Sequence, residues 1–376
     1  MANLRDRLKR IQEIKKIDVK TDSQAAAAVG YTGESNEAFF PGWKLCAGSL
    51  DEKNGCKVLK REVTVRSPFN FNKKIPPALK VLVSDLAGGD IPGYNDFLFF
   101  DLETTGLSGG AGTVAFLAAF GRTEKNSLRI TQYLLLDYSG ENDFLENALL
   151  EFNNEKKIIV TYNGKSFDSQ ILKTRCLMNR FKPPVYRHVD LLHPCRRLWK
   201  NIIHDCGQAS IETKIIGIDR SDDIPGSLAP DIWFEFLKTG NTERLSGICD
   251  HNIRDISGLA SILASVISIA ENPFTDKYSF DIERIALFWR AFLRREKDNP
   301  VYRDLQVTGN NLLCYAAKKN HPRAVYVYAY DQMKSKNYFE SLKFVRKGLE
   351  LFDEESIWRR KLIRRKEYLE KKINKG

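Results

Sequence analysis

The chain has 376 residues, 43% hydrophobic and 11% aromatic, so it is long enough for two or three globular domains, and a disordered or fibrous class is excluded. Its net charge of +11 resides at the ends: residues 1–20 carry +4 and residues 357–376 carry +7, while the span between balances at 43 basic against 43 acidic side chains. Basic ends suit a polyanionic partner, or equally two solvated helix faces, and the balanced middle excludes a chain that is basic throughout.

Residues 1–20 place Leu4, Leu8, Ile11, Ile14 and Ile17 at helical spacing, which predicts a basic amphipathic helix followed by a polar linker to residue 40. The N-terminus is too charged for a signal-peptide core, and no apolar run has the length of a membrane span, so no membrane contact and a cytoplasmic location are expected. Seven scattered cysteines without a Cys-x-x-Cys pair fit reduced thiols there and not a disulfide frame or zinc site. Residues 41–92 form a small β-rich segment with a hairpin turn at 51–55. Residues 93–272 make the main domain: strands at 97–104, 113–121 and 128–137 in an antiparallel meander, a helix at 144–152, a strand at 157–163, a helix at 166–180, a short strand at 186–192 and a helix at 194–203. Residues 204–240 read as irregular, and Thr242–Ala270 as one long helix or a pair. Residues 273–376 are helical, with 324–334 and 338–351 paired like a tetratricopeptide unit and a basic last helix.

Within this frame Phe97–Phe100 runs into Asp101-Leu-Glu103, so two carboxylates leave one face of a buried strand at its end. Adjacent carboxylates there either reach solvent or are offset by a cation, and an oxygen-only donor pair suits Mg²⁺ or Mn²⁺. Asp168 opens a helix after the strand at 157–163, as a cap or as a third acid. His251 and Asp255 share a helix face at i, i+4, as a surface pair or as part of the same site. Asp190 ends a strand and reads as structural or supporting. Asp222 and Asp223 sit in a Pro-Gly turn, where Asp bonds its own backbone, and stay outside the catalytic set. The glycines of 106–112 lack the Lys-Ser/Thr of a phosphate-binding loop.

Taken in order, Asp-x-Glu-Thr-Thr-Gly-Leu (101–107), Asn-x-x-x-Phe-Asp (163–168) and His-x-x-x-Asp (251–255) resemble the three motifs of the DEDD 3′→5′ exonuclease superfamily. The YprB-type branch, ribonuclease H-like proteins with helical repeats, is the nearer resemblance. Its phrases Val-Asp-Leu-Leu-His-Pro-Cys-Arg-Arg-Leu-Trp (189–199) and Asp-Asp-Ile-Pro-Gly (222–226) are here too, and the likeness spans about residues 40–270 plus the helical tail. It implies an α/β fold: a ribonuclease H-like mixed sheet, three antiparallel strands extended by parallel ones and flanked by helices, with an all-α C-terminal region. It implies a two-metal nuclease on DNA or RNA, with Asp101, Glu103, Asp168 and Asp255 holding Mg²⁺ or Mn²⁺. His251 would orient or deprotonate water, and Thr104, Leu107 and Asn163 would contact the terminal nucleotide. His251 departs from the pattern: it stands four residues before Asp255, the place of Tyr in one subgroup, whereas His in the other stands five before. The other class of function is a non-catalytic nucleic-acid-binding scaffold whose C-terminal helices dock a protein partner.

Overall fold

The computed structural model describes residues 42–46, 57–106, 110, 112–153 and 157–374; the expected N-terminal helix and linker, the turn at 51–55 and Leu107 lie outside them. Among the described residues the strands β1 (Trp43–Leu45), β2 (Val58–Arg66), β3 (Phe97–Thr104), β4 (Ala115–Glu124), β5 (Ser127–Leu135), β6 (Ile158–Thr161) and β7 (Arg187–Asp190) make one sheet in the order β1-β2-β5-β4-β3-β6-β7. The β3-β4-β5 meander and the β2–β5 and β1–β2 pairings are antiparallel, while β6 and β7 join β3 in parallel. The segment before residue 92 therefore adds its strands to the outside of this same sheet.

Alternation along β3 divides the core. Phe97 and Phe99 face one side, Leu98 and Phe100 the other, and all four are fully buried, each contributing roughly 1.5–3 kcal/mol. The second side is covered by α2 (Glu141–Leu150), α3 (Asp168–Met178) and α6 (Ala229–Thr239), through Phe144, Ile171 and Trp233. The first side is covered by α7 (Glu243–Glu271), with α1 (Leu79–Leu82), α4 (Leu192–Trp199) and the C-terminal helices α8 (Ile282–Arg295), α9 (Arg303–Lys318), α10 (Pro322–Lys334), α11 (Tyr338–Leu351) and α12 (Ile357–Ile373). Between α4 and α6 lies the one-turn α5 (Gln208–Ile211), which runs into a wider turn over Glu212–Ile216.

One expectation changes and one alternative is decided. The stretch expected to be irregular contains α6: Pro230 fits its first turn, where no backbone donor is needed, Ile232, Trp233 and Phe236 bury one face, and Gly240 ends it in the left-handed region at φ +72°. The span read as one long helix or a pair is a single helix, Glu243–Glu271, whose length and apolarity would suffice to cross a membrane, yet most of its apolar side chains are buried against the sheet and the C-terminal helices. Its first turns, with Leu245, Ile248 and Cys249, belong to one core, and Ile256 onward to the other. His251–Asp255 fall between the two, beside the end of β3.

Candidate active site

The parallel pairing of β3 and β6 stops at Phe99 opposite Val160, so beyond it β3 has no partner on that side. Asp168, first residue of α3, fills the gap: its Oδ1 accepts the Leu102 N–H at 3.3 Å. On the other side the β3–β4 register shifts between Glu103 and Thr104. Asp101 and Glu103 both project from the face over which α7 passes. Asn252 of α7 donates Nδ2 to Asp101 Oδ2 at 2.7 Å. His251 Nε2 lies 3.2 Å from Asp255 Oδ2 and 3.9 Å from Glu103 Oε1. Glu103, His251 and Asp255 each offer a ligand atom within 4.8 Å of the others.

Close packing sets the charge states. Burial, and then the charges of Asp168, Asp255 and Glu103, push the Asp101 carboxyl well above the usual carboxylate range, with His251 opposing. Burial does the same to Glu103, reinforced by Asp255 and Asp168. Asp168 is pushed up to about 7, chiefly by burial, although its own N–H and that of Leu102 pull it down. Burial disfavours a charged His251, but the hydrogen bonds and charges of Asp255 and Asp223 win and raise the ring to about 9. Acids that hold protons for want of a counter-charge form a set of hard oxygen donors open to a divalent cation.

The loop before α6 supplies residues that the sequence reading set aside. Asp223 Oδ1 lies 2.9 Å from His251 Nδ1, so one carboxylate oxygen serves the catalytic candidate while the other pairs with Arg220 of the same turn. Arg220, nearly buried, reaches Asp255 Oδ1 at 2.6 Å, Glu212 Oε2 at 2.7 Å and Asp223 Oδ2 at 2.6 Å. Glu212 comes this close to α7 only because residue 258 is glycine: a Cβ there would stand 1.8 Å from its Oε1. Gly226 packs on the imidazole in the same way, where a Cβ would stand 2.8 Å from Nε2. The Asp-Asp-Ile-Pro-Gly phrase was visible in the sequence, but its neighbours across the fold were not.

The nucleotide-contact candidates separate. Thr104 is buried and donates its hydroxyl to the Gly106 carbonyl at 3.0 Å. Asn163 is exposed at a left-handed corner, φ +62°, with its N–H given to Asp190 Oδ1 at 2.8 Å. Asp190 also receives the N–H groups of Lys165 and Leu192, which makes it the fastener of that corner.

Residues 98–267 match the family model for the RNase H superfamily. The chain is 39% identical over 175 residues to the uncharacterized protein YprB of Bacillus subtilis (strain 168), an alignment covering 45% of this chain and 42% of that protein. It thus spans less than half of that relative's length. Among solved structures, E. coli exonuclease I in complex with a dT13 oligonucleotide aligns at 21% identity over 40% of this chain and 42% of that one, with a TM-score of 0.29. The zinc-ion-bound form of an E. coli ExoI–ssDNA complex aligns at 19% identity over 47% and 41%, with a TM-score of 0.27. The sheet order, the helices on both of its faces and the superfamily match together make the domain of this chain ribonuclease H-like.

Proposed function

We propose that the chain is a metal-dependent nuclease, a 3′→5′ exonuclease that hydrolyses phosphodiester bonds at the ends of DNA or RNA strands. The observation that carries this reading is the convergence of Asp101 and Glu103 on β3, Asp168 on α3 and Asp255 on α7 around the end of β3, with His251 beside them. Asp101, Glu103, Asp168 and Asp255 would hold two Mg²⁺ or Mn²⁺ ions. Bound there, the metal neutralises phosphoryl charge and acidifies water. His251 orients the attacking water or takes its proton at Nε2, while Asp223 on Nδ1 holds the ring toward the acids. Neutralising the surrounding carboxylates lowers the proton affinity of the ring and frees Nε2 to accept. Arg220 fixes one oxygen of Asp255 and leaves the other toward His251 and Glu103. Water adds to phosphorus, the ester bond to the penultimate nucleotide breaks, and the departing oxygen takes a proton. Helices α10 and α11, read as a tetratricopeptide-like pair, are the surface for a protein partner.

Oligonucleotides labelled at one end or the other, as DNA and as RNA, with Mg²⁺ or Mn²⁺ test the reading. The 5′-labelled strand should shorten stepwise while the 3′-labelled strand loses its label first, and Asp101→Asn should abolish both. Shortening that persists in Asp101→Asn, or none with any substrate, would overturn it.

A further inference from the structure

Beside the acids lies a groove of about 610 Å³ whose walls include Tyr162, Asn163, Arg196, Lys200, His204 and Gln208. It adjoins the segments that carry the acids at two points. Asn163 follows β6 at the corner that leads into Asp168, and Gln208 donates Nε2 to the Asp255 carbonyl at 2.8 Å. Arg196 and Lys200 stand four residues apart at the end of α4, on one helix face, and His204 follows. All three are exposed, and among the described residues none is held in an ion pair. The groove's acid, Asp205, is already engaged: it accepts the Gly207 N–H at 3.0 Å and the Ser210 hydroxyl at 2.7 Å, at the start of α5. Leu192 and the Tyr162 ring, whose hydroxyl is bonded to the Cys206 carbonyl, give the wall an apolar part. The cations here contrast with their neighbour Arg197, which is turned inward onto the Phe288 ring and the Leu82 carbonyl.

We infer that this groove carries a single-stranded nucleic acid, its phosphates on Arg196 and Lys200 and a base against Tyr162, and leads the strand's end to the acids. The inference rests on the nuclease reading for what happens at that end, but not for binding. A cluster of carboxylates repels a polyanion, so a strand needs cations close by to approach it. Two cations on one helix face, with no ion-pair partner among the described residues, supply that attraction locally even though the middle of the chain is neutral. Cations beside an aromatic ring fit backbone-and-stacking recognition of a single strand.

The test is binding of a labelled oligothymidylate and an oligouridylate of equal length to the full chain, with Ca²⁺ replacing Mg²⁺ to suppress turnover, across a salt series. The double substitution Arg196→Ala/Lys200→Ala should weaken binding about ten-fold and flatten the log–log salt slope by about 1.4, two phosphates at about 0.7 each. Tyr162→Leu should weaken binding without changing the slope. Lys238→Ala, outside the groove, should leave both unchanged. Wild-type affinity and slope in the folded double variant would overturn the groove, even if the wild-type chain cleaves DNA or RNA. A wild-type chain that binds through these residues and cleaves nothing would instead overturn the nuclease reading and leave the groove standing.

Discussion

Asn252 Nδ2 donates to Asp101 Oδ2 at 2.7 Å, and the same side chain accepts Gln132 Nε2 on its Oδ1 at 2.9 Å. Gln132 Oε1 in turn receives Arg61 Nη2 at 2.8 Å. A relay of side chains thus runs from β2, through β5 and α7, to the acid at the end of β3. Asn252 and Gln132 are completely buried, so removing Asn252 takes a donor from Asp101 and leaves Gln132 Nε2 with only the Cys249 carbonyl, at 2.8 Å. Asn252→Ala should therefore destabilise the fold by about 1–3 kcal/mol in urea denaturation and lower kcat more than KM. Unchanged stability would mean the relay contributes nothing.

Asp223→Asn keeps the shape of the Asp223–His251 contact and removes its charge. The folded-state His251 is raised to about 9 from the ordinary 6.5, so the protonated ring stabilises the metal-free protein fully below 6.5, and that contribution is lost as pH rises through about 9. The variant should lower the imidazole pKa, seen by NMR titration, and shrink the stability difference between pH 6.5 and 9. A His251 resonance that titrates as in the wild-type chain would refute the role given to Asp223.

For Asp168 the folded carboxyl is raised to about 7 from an ordinary 3.8, so its neutral form favours the metal-free fold below 3.8, and this contribution disappears as pH rises through 7. In EDTA at pH 8, Asp168→Asn should then raise Tm relative to the wild-type chain, with the gap closing toward pH 4. In Mn²⁺ titrations the same variant should bind more weakly, and wild-type binding should release protons near pH 6–7. A variant less stable in EDTA at pH 8 would mean that Asp168 serves the fold through its bond to Leu102 more than it strains it.

Deleting the chain after Ser356 would remove Leu362 and Leu369, both fully buried, along with the basic charge of α12. The truncated protein should lose several degrees of Tm, since each leucine contributes roughly 1.5–3 kcal/mol. Charge reversal at exposed Arg360, Lys361 and Arg364 should leave Tm within about 2 °C, because surface substitutions rarely exceed ±0.5 kcal/mol. If those reversals also leave nucleic-acid affinity unchanged, the tail's charge serves solubility.

Much of this was legible because it is local. The apolar run Phe97–Phe100 gave β3, the apolar spacing along 242–270 gave α7, and motif order placed Asp101, Glu103, Asp168, His251 and Asp255 on elements that do meet. What stayed hidden depends on tertiary neighbours. A Pro-Gly turn with two aspartates looks self-contained until α7 brings His251 against Asp223. Arg220 is one of many basic residues until Glu212, Asp223 and Asp255 surround it. Helix α6 was missed because Pro230 and its aromatic residues score poorly as helix formers, and burial of Trp233 and Phe236 overrides that preference. The groove on α4 was hidden by averaging, since +11 over a whole chain says nothing about two cations on one face.

One apolar core runs without a break from Phe97 and Phe99 on the sheet, through Leu259 and Val266 of α7, to Trp289, Leu312, Phe344 and Leu369 in the C-terminal helices. Helices that share a core with a sheet do not swing on a tether. A partner bound on those helices would therefore be held at a set distance and angle from the acids at the end of β3.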